Sequence, residues 1–133
     1  MIVDAHNAVL GRLASKIARE LLRGQEIVVI NIEKSVVSGK PDVIVDRFLE
    51  KLHRGSAHKG PFYPKYPDRM FIRIVRGMIP YKHQRGKEAL KRLKVFIGNP
   101  ENLQGEKVTK TSDNLKAKYL SLHQLTKELG AHG

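Results

Sequence analysis

Apolar residues in the first part of the chain recur at three- and four-residue spacing, and charged residues fall between them. This pattern predicts an amphipathic helix over about residues 10–22, with Gly24 placed to end it. The segment 27–30 is a continuous β-branched run, which is typical of a strand covered on both faces. A short apolar start at residues 2–4 predicts another strand.

The next stretch repeats the same order of elements. Residues 36–37 predict a short extended piece, and a second amphipathic helix begins near Pro41, because a proline is tolerated in the first turn. Gly55 is placed to end that helix. The order strand, helix, strand, helix favours a parallel sheet with helices on its faces.

The middle of the chain begins with a segment in which the periodic pattern of apolar residues stops. Residues 56–67 show no helical or strand period and predict a long loop. A third helix follows, capped by Asp68 and stopped by Pro80. A fourth helix is predicted over residues 86–93, and a buried strand over residues 94–97. The apolar stripe of the third helix consists of Phe71, Ile74, Val75 and Met78.

The C-terminal part is more polar. Residues 101–118 predict an extended arm, and residues 119–120 predict a last short strand. Ser121 and Gln124 have the spacing of a capping box at the start of a final helix. The chain is therefore predicted to be a single α/β domain over residues 1–133, with a basic loop-helix insertion and a polar C-terminal arm.

Charge is distributed unevenly over these elements. The chain has 25 Lys and Arg against 13 Asp and Glu, a formal net charge of +12. Residues 1–46 are balanced, whereas residues 47–94 carry 14 basic and three acidic side chains and six of the eight aromatic residues. Because Arg and Lys pair with phosphates and rings stack on unpaired bases, this segment favours nucleic acid over a membrane and over a merely solvated basic face.

Basic residues in this segment share helix faces. Arg69, Arg73 and Arg76 recur at i, i+4 and i+7 opposite the apolar stripe, and their guanidinium groups can hold phosphates in a bidentate way. Lys87 and Lys91 repeat this spacing on the fourth helix, continued by Lys94. The predicted RNA-binding residues are Arg54, His58, Lys59, Lys65, Arg69, Arg73, Arg76, Lys82, Arg85, Lys87, Lys91 and Arg92.

Two sets of residues in the same segment have alternative roles. Phe62, Tyr63 and Tyr66 are suited equally to stacking on splayed bases and to covering the core beneath the loop. Gly77 and Gly86 either admit an RNA backbone or satisfy local turns, and the turn is the favoured interpretation.

Other classes of function lack support. The chain has no cysteine, no apolar run long enough to span a bilayer, and no signal-peptide pattern at its start. Gly11 opens a helix after a strand, but neither a P-loop nor GxGxxG is present, and the six histidines match no zinc-site spacing. We expect no catalysis, no cofactor or metal, no small-molecule substrate and a cytoplasmic location.

A series of short motifs resembles the universal large-subunit ribosomal protein L-thirteen family over roughly residues 2–100. The most specific is Val-Arg-Gly-Met-Ile-Pro at residues 75–80. Others are Leu-Gly-Arg-Leu-Ala-Ser at 10–15, Val-Ser-Gly-Lys at 37–40 and Lys-Val-Phe-Ile-Gly at 94–98. The chain lacks the extensions of bacterial and eukaryotic members, so an archaeal member is the closest match.

The resemblance implies a three-layer α/β/α domain with a mainly parallel four-stranded sheet. It also implies a non-enzymatic protein that binds large-subunit ribosomal RNA beside neighbouring large-subunit proteins and supports subunit assembly. The RNA-binding region of the family falls on the loop and helices of residues 47–94. Two alternatives remain at this point: a nucleotide-using α/β enzyme, and an RNA-binding translational regulator that acts away from the ribosome.

Overall fold

The computed structural model describes residues 1–52, 66–107 and 119–128. These segments contain five strands and five α-helices, with a 3-10 helix at Ile32–Lys34 after the second strand. The elements are β1 (Ile2–Asp4), α1 (Leu10–Leu22), β2 (Ile27–Ile30), β3 (Val36–Ser38), α2 (Pro41–Leu52), α3 (Pro67–Arg76), α4 (Gln84–Lys91), β4 (Leu93–Val95), β5 (Tyr119–Ser121) and α5 (Leu122–Glu128).

Three strands form a parallel sheet in the order β1-β2-β4. Val29 lies in the central strand, with Val3 as its partner on one side and Val95 on the other. Parallel neighbours need a crossover connection, which α1 supplies between β1 and β2. The predicted mixed α/β class and the parallel sheet are therefore confirmed.

The remaining strands pair separately from that sheet. β3 and β5 are antiparallel, with Val37 opposite Leu120. The parallel sheet thus has three strands within the described residues, and neither its predicted fourth strand nor the three-layer arrangement is confirmed. Glu106 forms an isolated parallel bridge with Val3, and its carbonyl accepts the N–H of Asp4 at 3.0 Å. This single pairing occupies the outer edge of β1.

The core lies where α1 and α3 meet the sheet. Leu13, Ile17 and Leu21 line the buried side of α1, as their spacing predicted, and Gly24 ends the helix with a φ of 97°. Phe71 of α3 is fully buried in the same cluster. Because α1 packs against both α3 and α4, the core fixes the two basic helices in position.

Helix α3 begins two residues earlier than predicted. Tyr66 is its N-cap residue and Pro67 its first helical residue, so Asp68 lies inside the first turn instead of capping it. Proline fits this first position because its missing N–H would have no helical partner there. The carboxylate of Asp68 still favours the helix, since it lies near the positive end of the helix dipole.

The same helix also ends earlier than predicted. It stops at Arg76, four residues before Pro80, and Gly77 is its C-cap residue. The chain leaves the helical path there, so Ile79 is buried and Met78, predicted to be buried, is 46% exposed. Met70 takes its place on the buried side of α3.

Helix α4 spans residues 84–91 instead of the predicted 86–93. It stops before Leu93 because that residue pairs with Ile27 in the parallel sheet. Lys94 therefore lies on β4 and does not continue the row of lysines on the helix.

Strand β4 is shorter than predicted. It ends at Val95, and Ile97, predicted to be buried, is 48% exposed. The neighbouring chain explains the difference. Asn31, which follows β2, adopts a left-handed conformation with a φ of 58° and starts the 3-10 helix, so the regular strand pairing ends there. The backbone N–H groups of Asn31 and Ile32 still donate to the carbonyls of Gly98 and Phe96, at 2.9 Å and 3.4 Å.

The C-terminal helix forms half of the predicted capping box. The hydroxyl of Ser121 accepts the backbone N–H of Gln124 at 3.2 Å. The amide of Gln124 donates instead to the carboxylate one turn later, at 3.1 Å. Leu122 and Leu125 are buried as predicted, and Leu129 lies outside the described residues.

Candidate nucleic-acid interface

Helix α3 directs its arginines away from the core. Arg69, Arg73 and Arg76 are exposed, whereas Phe71 and Val75 on the other side are fully buried. The three arginines lie within about 60° of one another around the helix. The buried side sets the rotation of the helix, so it also sets the direction of the arginines.

The basic charge of residues 66–94 is largely left for an external partner. This stretch has nine basic and two acidic residues. Within the described residues, Arg69, Arg76, Lys87 and Lys91 make no ion pair. An excess of one sign on a small surface repels itself, and an anionic partner relieves that repulsion.

A cleft of about 520 Å³ lies between the end of α3 and helix α4. The cation of Arg76 lies over the ring of Tyr81, with 4.3 Å between Cζ and the ring centroid, in the geometry of a cation–π contact. The cleft therefore brings a predicted arginine of α3 together with two predicted lysines of α4. Its lining residues are Arg76, Tyr81, Gln84, Lys87, Leu90 and Lys91.

Gly86 fixes the distance between α4 and the turn before it. A Cβ at this position would overlap the carbonyl of Pro80 and lie 2.8 Å from the backbone N of Tyr81. The space beside Gly86 is thus occupied by the protein's own backbone. Gly86 lies inside α4, so this close packing, and not a turn at the glycine itself, explains its lack of a side chain. The packing holds Tyr81 against the cleft.

Gly77 is a contrasting case. It is exposed, its φ of −66° is open to any residue, and a Cβ there would meet the carbonyl oxygen of Ile74 at an ordinary 3.5 Å. The fold itself does not require glycine at this position. Close approach of an RNA backbone therefore stays open as its role.

Arg92 is engaged inside the fold. Its Nη2 donates to the carbonyl of Leu21 at 2.8 Å, at the C-terminus of α1. The last carbonyls of a helix lack helical partners and lie at the negative end of its dipole, so a guanidinium is favourable there. Lys82 and Arg85 are exposed near the cleft but do not line it.

Four predicted binding residues have no described position. Among the aromatic residues of the same loop, Tyr66 is 44% exposed, whereas Phe62 and Tyr63 lie outside the described residues. The two interpretations of those two rings remain predictions. The binding residues outside the described part of the chain are Arg54, His58, Lys59 and Lys65.

In residues 1–52, 66–107 and 119–128, no group of three or more His, Cys, Asp or Glu side chains could hold a metal ion. No helix in these segments is long and apolar enough to cross a membrane.

The model of the ribosomal protein L13 family matches residues 1–102. The chain belongs to this family. It is 46% identical to the large ribosomal subunit protein uL13 of Archaeoglobus fulgidus over 99% of this chain and 88% of the relative. It is 46% identical to uL13 of Methanopyrus kandleri, over 97% and 86% of the two chains, and 43% identical to that of Thermoplasma volcanium, over 97% of each. The predicted resemblance to archaeal L13 members is confirmed.

The L13-family match includes both basic helices and the cleft between them, which sequence reasoning did not find. Arg76 was assigned to an arginine row and Tyr81 only to a group of aromatic residues. Their contact crosses a turn, and no helical or strand period connects the two positions. The signal available in the sequence is the pair Pro80 and Gly86. The chain turns back after Pro80, and the missing side chain of Gly86 lets α4 approach that turn.

Proposed function

We propose that this L13-family protein is a structural constituent of the large ribosomal subunit, where it binds large-subunit rRNA and supports subunit assembly. The exposed arginine side of α3, held in place by a fully buried opposite side, is the observation that carries the proposal. The names of the archaeal relatives, which describe large-subunit proteins, support the same role. The protein acts in the cytoplasm, without catalysis and without a cofactor.

Binding follows from the difference between arginine and lysine. Each guanidinium of Arg69, Arg73 and Arg76 offers parallel N–H donors that match two phosphate oxygens. Lys87 and Lys91 act as point charges at the cleft. Because α3 and α4 are already packed on α1, the interface is ordered before RNA binds, and binding costs less conformational entropy.

The loop before α3 extends this interface in the proposal. Its basic residues His58, Lys59 and Lys65 lie next to the first turn of α3 in sequence, and with Arg54 they add contacts to folded rRNA. Neighbouring large-subunit proteins complete the set of partners. A three-layer domain with a fourth sheet strand is proposed as well, and the pairing of Glu106 with Val3 supports an additional strand at that edge.

Salt dependence tests the proposed binding. If six or more phosphates are neutralised, the logarithm of the affinity for large-subunit rRNA falls against the logarithm of salt concentration with a slope of about −4 to −5. Filter binding between low and moderate salt measures this slope. A flat response would contradict binding through phosphates.

Sedimentation tests the ribosomal role separately. We expect the protein to migrate with large subunits in high-salt gradients, because an integral constituent remains bound where loosely attached proteins dissociate. A substantial pool that sediments apart from large subunits would favour the alternative of a free RNA-binding translational regulator.

A further inference from the structure

The cleft between α3 and α4 differs in kind from the arginine side of α3. It combines the flat side chains of Arg76 and Tyr81 with the apolar side chain of Leu90 and with Lys87 and Lys91, one helical turn apart. Its volume of about 520 Å³ is in the range of small-ligand sites. A flat apolar surface beside two cations is complementary to a nucleotide, which joins a flat base to an anionic phosphate.

The stacked pair at the cleft is already formed. The Cζ atom of Arg76 lies 4.3 Å from the centroid of the Tyr81 ring. Aromatic rings and guanidinium planes are the surfaces on which proteins stack unpaired bases. Because each side chain restrains the other, a base that stacks here immobilises little additional side chain.

The surrounding backbone keeps this pair next to the lysines. Gly86 brings α4 against the backbone of Tyr81, so the ring and the lysine side of α4 belong to one packed unit. Glu88, the acidic residue of α4, does not line the cleft, and its carboxylate accepts the amide N–H of Gln84 at 3.2 Å. The cleft therefore presents cations to a ligand.

We propose that this cleft binds one unpaired nucleotide of an RNA chain, with the base stacked on the Arg76–Tyr81 pair and a phosphate held by Lys87 and Lys91. The assignment rests on the proposed rRNA-binding function and adds to it. Contacts from a helix face to phosphates position RNA without contacting its bases. The cleft supplies a contact to a base, at a site where the RNA is not paired.

A fluorescent base tests the proposal directly. The probe is a five-nucleotide single-stranded RNA with 2-aminopurine at its centre, compared with the same RNA carrying an abasic central position. With the full chain we expect quenching of 2-aminopurine, and binding roughly 5- to 100-fold tighter than for the abasic RNA, the range of one stacked base. Equal binding of the two RNAs would overturn the proposal.

Variants locate the contact. Tyr81→Leu is expected to abolish both the quenching and the preference for the base, whereas Tyr81→Phe keeps them because it keeps the ring. Tyr119→Leu is the matched control and should leave the quenching unchanged, since it removes a 47% exposed ring of β5 that does not line the cleft. Unchanged quenching in folded Tyr81→Leu would place the base elsewhere.

A second pair of substitutions keeps the test decisive if Tyr81→Leu does not fold. Lys87→Glu with Lys91→Glu changes two exposed side chains of the cleft and places carboxylates where the phosphate is proposed to lie. Loss of quenching in this double variant supports the proposal, and retained quenching overturns it.

A free mononucleotide has the same base and phosphate, so it forms a separate arm of the experiment. 2-Aminopurine riboside monophosphate that binds as tightly as the five-nucleotide RNA would overturn the assignment to an RNA chain. Intact, salt-dependent rRNA binding without base-dependent quenching would overturn the cleft proposal alone. Absence of rRNA binding by the unaltered protein would overturn the proposed function as well.

Discussion

The first 46 residues and the stretch from 66 to 94 use their charged side chains in opposite ways. In the first, acidic groups make contacts within the protein: Asp4 Oδ1 accepts the backbone N–H of His6 at 3.0 Å and the amide of Asn31 at 3.2 Å. Glu33 accepts the backbone N–H of Gly98 at 2.7 Å. These carboxylates make contacts that stabilise the fold.

In the stretch 66–94, exposed cations predominate. Arg92 makes a hydrogen bond inside the fold, but Arg69, Arg76, Lys87 and Lys91 make no ion pair within the described residues. The comparison shows that net charge alone does not mark an interface. Charged side chains that make no contact within the fold are the better indicator of an interface. Four variants, in order of decreasing effect on stability, test this distinction.

The largest effect is expected from the buried side of α3. Phe71→Ala removes a fully buried ring and should lower the free energy of unfolding by about 3–5 kcal/mol. Urea denaturation followed by circular dichroism measures the loss. Ile97→Ala is the control, because Ile97 is 48% exposed and its truncation should cost below about 0.5 kcal/mol. Similar losses for both would show that α3 is not anchored by Phe71.

Alanine substitutions at the two glycines next to the cleft should differ clearly in their effect on stability. Gly86→Ala places a Cβ against the carbonyl of Pro80 and the N–H of Tyr81, and should cost about 2–3 kcal/mol through overpacking. Gly77→Ala has room for its Cβ and should leave stability unchanged or raise it by up to about 1 kcal/mol. Thermal unfolding compares the variants, and a stable Gly86→Ala would contradict the close packing of α4.

Removal of the Asp4 carboxylate, which accepts hydrogen bonds within the fold, should lower the free energy of unfolding by a smaller amount. Asp4→Ala leaves two hydrogen-bond donors without their acceptor and should cost about 1–2 kcal/mol of unfolding free energy. Asp42→Ala, at an exposed position of α2, should cost little. Affinity for rRNA should not fall in either variant, and a large loss of affinity in Asp4→Ala would show that this region also belongs to the interface.

The smallest effect on stability is expected on the arginine side of α3. Arg73→Ala with Arg76→Ala should leave the circular dichroism spectrum intact and change stability by about 1 kcal/mol or less. Binding to rRNA should weaken, and the salt slope should become shallower by about 1–2 because two phosphate contacts are lost. Lys34→Gln, exposed outside the basic region, is the control. A collapsed spectrum would assign the arginines to the fold.

Sequence periodicity predicted most elements because each depends on neighbours a few positions away. The stripe of α1 with Leu13 and Ile17 is local, and it is confirmed. Errors occurred where a distant partner decides. Leu93 pairs with Ile27 instead of extending α4, and β4 ends at Val95 because regular pairing with β2 stops where Asn31 starts the 3-10 helix. The separate pairing of β3 with β5 is likewise non-local.

The candidate interface likewise has one part that depends on local spacing and another that depends on distant contacts. The arginine row of α3 follows from helical spacing alone, so sequence could predict it. The contact between Arg76 and Tyr81 depends on how closely α4 approaches the preceding turn, which is set by Gly86 and Pro80. Such a contact follows no helical or strand periodicity in the sequence, so only the folded structure reveals it.

The antiparallel pair also constrains the order in which the protein can be completed during its own synthesis. β3 lies near the start of the chain and β5 near its end, and the N–H of Leu122 donates to the carbonyl of Ser35 at 2.8 Å. The parallel sheet and both basic helices are encoded before residue 96, whereas β3 can pair with β5 only after residues 119–121 are made. A chain cut short before β5 therefore leaves Val36 without its partner Ser121, with both basic helices already synthesised.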